Sequence, residues 1–280
     1  MAPTNNQPPI AGALRKHVAS RGSILFVHGA GHGAWCWREH FTGWFEERGF
    51  SVSAPDLPSH GEFDHSGVKR IPLGTYVHTV AAAAGQLEPP VILVGHSMGG
   101  FIIQKHLEGA KADLAILLAS VPPTGALGMV KRMATRRPRA FLHTMLSGEA
   151  TNSPERTRDY FFCPDTPARV LMEAHGRLQP ESTRALRDMM TPLHPKRVKS
   201  PVVVMGAEHD WLVAPATDLI ATARAFKTAP ITLAGGHDMM LDHAWEQVAH
   251  EIDCVIRKQA AGSPVQCGSE VRVTSPQHDL

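Results

Sequence analysis

Ser97 is the residue of this chain best placed to do covalent chemistry. It lies in Gly95-His96-Ser97-Met98-Gly99, directly after the apolar run Val91-Ile92-Leu93-Val94 and directly before Phe101-Ile102-Ile103-Gln104-Lys105-His106-Leu107, which reads as a helix. A serine on a tight turn between strand and helix has its hydroxyl thrust outward. The turn is strained, and glycines two residues to either side remove Cβ atoms that would collide with the serine. The amide of Met98 opens a helix, where unpaired donors and the helix dipole favour negative charge. One turn therefore offers a nucleophile and half of an oxyanion site. The pattern alone arises by chance in roughly one chain in ten of this length. The strand before it and the helix after it give it weight.

A serine hydroxyl that attacks needs a base to take its proton, and the base needs a carboxylate to orient it. Two later loops supply these. One is Ala207-Glu208-His209-Asp210-Trp211-Leu212-Val213-Ala214-Pro215, after an apolar strand at 201–206. The other is Ala234-Gly235-Gly236-His237-Asp238, after a strand at 231–233. Glu208 competes with Asp210 as the acid. His28, His32 and His96 are read as loop-ordering residues, and His243 as a weaker competitor of His237. An upstream loop, His28-Gly29-Ala30-Gly31-His32-Gly33, lets backbone amides approach a ligand closely. The chain order Ser, Asp, His is the one this kind of turn leads one to expect.

These residues must be held by a scaffold, and short apolar strands alternating with helices provide one. Strands are expected at 23–27, 50–54, 91–94, 112–120, 201–206 and 231–233. Helices are expected at 34–48, closed by Gly49, and at 75–87, after Ser97, at 215–226 and at 243–258. Continuous apolar strands fit a sheet buried on both faces, and the alternation fits right-handed crossovers. The fold class is α/β, a doubly wound, mostly parallel sheet, whose functional residues collect in loops at the carboxyl ends of strands. The tryptophans of 34–48 are read as core.

From 122 to 200 no buried strand is expected, only helical segments rich in proline, methionine and basic residues, taken as an inserted cap. Met129, Met133, Met145, Met172, Met189 and Met190 either fill the cap's interior or line an adaptable apolar pocket. The basic run Lys131, Arg132, Arg136, Arg137 and Arg139 is read as a solvated helix face. The domain plan is a lead-in at 1–21, a core at 22–121 and 201–260, the cap at 122–200 and a disordered tail at 261–280.

Bulk composition bounds the rest. The chain has 280 residues, 43% hydrophobic and 19% charged, with a formal charge of +2. That length accommodates one large α/β unit with an insertion, and the charge gives no reason to invoke nucleic acid or an anionic membrane. The four cysteines, Cys36, Cys163, Cys254 and Cys267, are widely spaced, which indicates neither a zinc site nor a disulfide framework. No apolar run reaches signal or transmembrane length, so the cytoplasm is the default expectation. Oligomeric state is left open.

Over about residues 22–260 the chain resembles the α/β-hydrolase fold superfamily. Gly95-His96-Ser97-Met98-Gly99-Gly100 resembles the nucleophile elbow of esterases and lipases, and Val27-His28-Gly29-Ala30 resembles the oxyanion loop. Residues 28–37 are similar to the esterase and hydroxynitrile lyase branch. The resemblance implies Ser97 as nucleophile, His237 as base and then acid, Asp210 as orienting acid, the amides of Ala30 and Met98 as oxyanion donors, and no cofactor or metal. It implies hydrolysis by water of a small to medium apolar carboxylic ester. Thioester, lactone and carbon-carbon bond cleavage are variants, and a ligand receptor with negligible turnover is the alternative. Serine at the elbow argues against dehalogenase and epoxide hydrolase chemistry, where relatives carry Asp. Asp238, where the lyases carry lysine, argues against cyanohydrin cleavage. Leu212 and Val213, just after the acid, are candidate substrate contacts by position.

Overall fold

The computed structural model describes residues 20–63, 67–149 and 151–262. Most of the expected lead-in and tail lies outside them. In chain order the elements are β1 (Ser23–Val27), α1 (Trp35–Arg38), α2 (Phe41–Glu46), β2 (Ser51–Ser53), α3 (Leu73–Ala84), β3 (Val91–His96), α4 (Met98–Leu107) and β4 (Leu114–Leu118). Five helices follow without an intervening strand: α5 (Leu127–Arg136), α6 (Pro138–Ser147), α7 (Pro154–Phe161), α8 (Ala168–Arg177) and α9 (Thr183–Asp188). The chain then returns to the sheet with β5 (Val202–Ala207), α10 (Ile220–Ala225), β6 (Pro230–Leu233) and α11 (Trp245–Ala260).

The strands form one sheet in the order β2-β1-β3-β4-β5-β6, with every pair parallel. Strand alternation sends side chains to two cores. Ile24, Phe26, Ile92, Val94 and Ile116 pack with the aromatics of α1 and α2 and with Val248, Ile252 and Val255 of α11. Leu25, Val27, Leu93 and Leu117 pack with Tyr76 and Val80 of α3, Phe101 and Ile102 of α4, and Ala223 of α10. This is the doubly wound arrangement, covered on both faces. Val27 lies in register with Gly95, and Gly95 with Leu117, so the loops leaving β1, β3 and β4 emerge side by side.

Several local expectations need correction. Residues 34–48 form two helices, because the backbone breaks at His40 (φ −132°), whose ring stacks on Trp245 at 4.3 Å. Gly49 does close the stretch in the left-handed region (φ 87°), its amide bonded to the Glu46 carbonyl. Helix α3 begins two residues early because the Asp188 carboxylate, far along the chain, accepts the Leu73 amide at 3.1 Å. The helix expected at 215–226 begins as a π-helical turn, Pro215–Leu219, before α10. Cys254 is disulfide-bonded, a single bond that the spacing did not indicate, while Cys36 and Cys163 are free. None of the described helices is long and apolar enough to cross a membrane.

Candidate active site

Ser97 joins β3 to α4 with φ 51° and ψ −115°, a conformation that L-residues avoid and that persists only where surroundings enforce it. Here the enforcement is explicit. The Ser97 amide donates to the Leu118 carbonyl, and its own carbonyl accepts from Phe101 and Val121. The flanking glycines are required, but not for the reason sequence suggests. A Cβ on Gly99 would lie 2.2 Å from the Val27 carbonyl oxygen, and one on Gly95 would lie 2.7 Å from the Gly100 nitrogen. The residue that must stay bare beside the serine itself is Gly29, where a Cβ would lie 3.1 Å from Ser97 Cβ and 2.7 Å from His96 Nδ1.

The loops after β5 and β6 bring Asp210 and His237 together. Asp210 Oδ1 accepts the amides of Leu212 and Val213, both at 2.9 Å, and Oδ2 accepts His237 Nδ1 at 2.7 Å. With both oxygens occupied and the side chain buried, the carboxylate fixes the imidazole and leaves Nε2 without a hydrogen bond among the described residues. Burial disfavours charge on the His237 ring, yet the Asp210 and Asp238 carboxylates outweigh it, so its pKa is raised. His237, Ser97, Ala30, His96 and Leu212 line one cavity. The Ser97 hydroxyl makes no hydrogen bond among the described residues; contacts of this kind often tighten only when substrate binds.

Ala30 lies in the loop after β1, and its amide has no partner among the described residues. Met98 is the first residue of α4, where amides have no partner within the helix. Of the two residues after the acid, Leu212 reaches the cavity wall. Val213 is buried elsewhere, and its amide is spent on Asp210. Glu208 is exposed, and His243 bonds Asp242 rather than any of these groups.

The three loop histidines are held in place. The Leu57 amide donates to His28 Nε2 at 3.0 Å, which makes Nδ1 the donor to the Gly29 carbonyl. Burial, helped by His60, holds the His28 pKa far down. His96 Nε2 donates to the His237 carbonyl at 3.0 Å, and burial together with His237 depresses its pKa. His32 donates from Nδ1 to the Ala30 carbonyl and from Nε2 to Asp238, both at 2.9 Å. Two donors require the charged ring, and although burial opposes it, Asp238 raises the pKa. His96, His237 and Asp238 each bring one ligand-type atom within 4.8 Å of the others. Asp238 serves His32 and His96 serves the His237 backbone, so the cluster is a hydrogen-bond network.

Sequence reasoning missed Glu181. This buried residue of the inserted segment lines the cavity and accepts the Gly31 amide at 3.1 Å, the Tyr76 hydroxyl at 2.9 Å and the Ser182 amide at 2.6 Å, with His60 Nε2 at 3.0 Å. Two residues earlier, Gln179 donates its amide to the Gly31 carbonyl at 2.8 Å and binds Gly61 through both ends of its side chain. Arg132 of α5 donates to the Leu212 carbonyl and pairs with Asp218, fastening α5 to the loop of Asp210. The only sequence signal for Glu181 was its place next to Ser182, the N-cap of α9. Met129 and Met133 line the cavity, whereas Met172 is exposed.

Known proteins match this chain at several levels. A sequence model described as "Alpha/beta hydrolase family" matches residues 24–251. Norfluorocurarine synthase 1 of Strychnos sp is 39% identical over 109 residues, 36% of this chain and 39% of that protein. The chain thus spans about two fifths of the length of that relative. The pFDCC methylesterase MES16 of Arabidopsis thaliana is 28% identical over 203 residues, 68% of this chain and 77% of that one. The solved structure of a methylesterase MES16 from Arabidopsis superposes with a TM-score of 0.64 at 25% identity, covering 83% of this chain and 98% of that chain. Polyneuridine aldehyde esterase superposes with a TM-score of 0.64 at 17% identity, covering 82% and 98%.

Proposed function

This chain belongs to the alpha/beta hydrolase family, and we propose that it is a carboxylic ester hydrolase working through an acyl-enzyme on Ser97. The observation that carries the reading is the Asp210–His237 hydrogen bond at 2.7 Å, with the other face of His237 and Ser97 on the wall of one cavity. The methylesterases and esterases among its relatives support ester hydrolysis.

In the proposed reaction His237 Nε2 takes the Ser97 proton as Oγ attacks the ester carbonyl carbon. The carbonyl π electrons move to oxygen, and the amides of Ala30 and Met98 bind the oxyanion. One such donor contributes about 2.7–4 kcal/mol to the transition state. Collapse breaks the bond to the alkoxy oxygen, which leaves with the proton from His237. Water then repeats the cycle on the acyl-enzyme and releases the acid. Asp210 stays ionised and stabilises the imidazolium formed in each half. The helices between β4 and β5 form the cap that closes the cavity, and Leu212 is a substrate contact in its wall.

The test is turnover of p-nitrophenyl acetate and butyrate together with labelling by a fluorophosphonate. Wild-type protein is expected to label stoichiometrically at Ser97 and to turn both esters over, and Ser97→Ala to lose about 10⁶-fold in kcat. Equal rates for the two proteins would refute the reading. Ligand binding with neither labelling nor turnover would return the receptor alternative.

A further inference from the structure

Beside the catalytic cavity lies a second one, and four residues belong to the walls of both: Met129 and Met133 of α5, Thr144 of α6 and Leu186 of α9. The second cavity is the larger, about 180 Å³ against about 80 Å³, and its own lining includes Val130, Phe141, Met145 and Met190. We infer that this second cavity receives the acyl chain of the ester, so that the substrate class is esters of medium-length, unbranched carboxylic acids. The inference rests on the reaction proposed above and names its substrate.

Three observations carry it. The partition is built from side chains that can move: Met129 and Met133 stand one turn apart on one face of α5, and an unbranched thioether side chain changes rotamer at little cost. The lining is almost wholly apolar, with Arg187 its one charged residue among the described residues, and so favours hydrocarbon. The partition also adjoins the loop of the candidate oxyanion donor, which would hold the carbonyl. Thr144 is one turn from Gly148, whose carbonyl accepts the Glu181 amide, and Glu181 in turn holds Gly31 next to the candidate oxyanion donor Ala30. Beside His237, which would protonate the leaving alcohol, the wall is formed by Phe161, whose ring stacks on His237 at 6.0 Å. The larger free space open to a chain on the carbonyl carbon is the one walled by α5, α6 and α9.

The experiment is a series of p-nitrophenyl esters from acetate to decanoate, paired with acetates of ethanol, butanol and octanol. From butyrate to octanoate kcat/KM is expected to rise by about fourfold per methylene, the conversion of roughly 0.8 kcal/mol per buried CH₂, while alcohol length has little effect. Val130→Phe fills the second cavity, and Met145→Trp fills it from its exposed side. Each is expected to keep acetate turnover within about twofold while removing most of the gain at octanoate. Calorimetry of octanoate against butyrate on the Ser97→Ala protein, with and without Val130→Phe, reads the cavity without turnover. It is expected to favour octanoate only while Val130 is intact. A flat acyl series, dependence on alcohol length instead, or an octanoate preference untouched by both variants would overturn the inference. Loss of all turnover with the calorimetric preference intact would instead count against the Ser97 reading alone.

Discussion

Two buried histidine–carboxylate pairs stand side by side in this molecule and are wired differently. His237 gives Nδ1 to Asp210 and keeps Nε2 for the cavity, whereas His32 spends Nε2 on Asp238 and Nδ1 on the Ala30 carbonyl. The carboxylates come from different loops, yet the chemistry of each pair is the same: burial opposes the charge and an adjacent anion restores it. What separates the proposed proton carrier from a strut is one uncommitted nitrogen. The first pair can cycle between neutral and charged rings during a reaction. The second can only hold the loop of Ala30 to the loop that bears His237.

The contrast can be broken from either side. Asp210→Asn exchanges an acceptor for an amide that cannot hold the correct tautomer, and kcat is expected to fall by about 10⁴-fold with stability little changed. Steady-state kinetics beside a denaturant titration checks this. His32→Ala should do the reverse, because it strands the Asp238 carboxylate in the interior at a cost of about 3–5 kcal/mol in unfolding free energy. The sign of its pH dependence is fixed by the raised pKa of His32. The stability this pair contributes is complete below the unfolded value near 6.5 and disappears as pH rises through the folded value. Wild type and variant should therefore differ more at pH 6 than at pH 10, and a constant difference would contradict a charged strut.

Asp238→Asn sharpens the comparison with the smallest effect, since it touches both pairs. His237 faces Asp210, Asp238 and the ring of His96, and Asp238 contributes to raising its pKa. Without that charge the acid limb of kcat/KM is expected to move to lower pH, with a loss of about tenfold or less at the optimum, one pKa unit being worth 1.36 kcal/mol. A limb that stays in place would leave Asp238 acting on His32 alone.

The parts of this arrangement that sequence revealed are those written locally. Apolar runs at β1, β3, β4 and β5 mark strands buried on both faces, and Ser97, Asp210 and His237 are each found in the loop that follows a strand. The parts that stayed hidden depend on partners brought in from elsewhere. Asp188 caps α3 from the far end of the inserted segment, Trp245 stacks on His40 where the helix breaks, and Glu181 reaches Gly31 across 150 positions. Asp238 was noticed only as the wrong residue for a lyase. Its task is visible once β1 and β6 loops are seen to face each other. No periodicity encodes a carboxylate that serves another element.

Gln179 and Glu181 give the inserted segment a second duty. The stretch that walls the cavity is also stitched to Gly31 by one bond to its carbonyl and one to its amide, and to Gly61 by a side-chain amide. Pocket shape and machinery are thus not separate modules that recombination can shuffle freely. A foreign insert lacking an amide and an acid at these two places would bring its own pocket and leave the loop beneath it slack. On this scaffold new selectivity is more readily reached by single replacements at the apolar positions Met129, Met133 and Phe141 of α5 and α6 than by exchange of the whole segment, which would also remove the Arg132 tie to the Leu212 carbonyl.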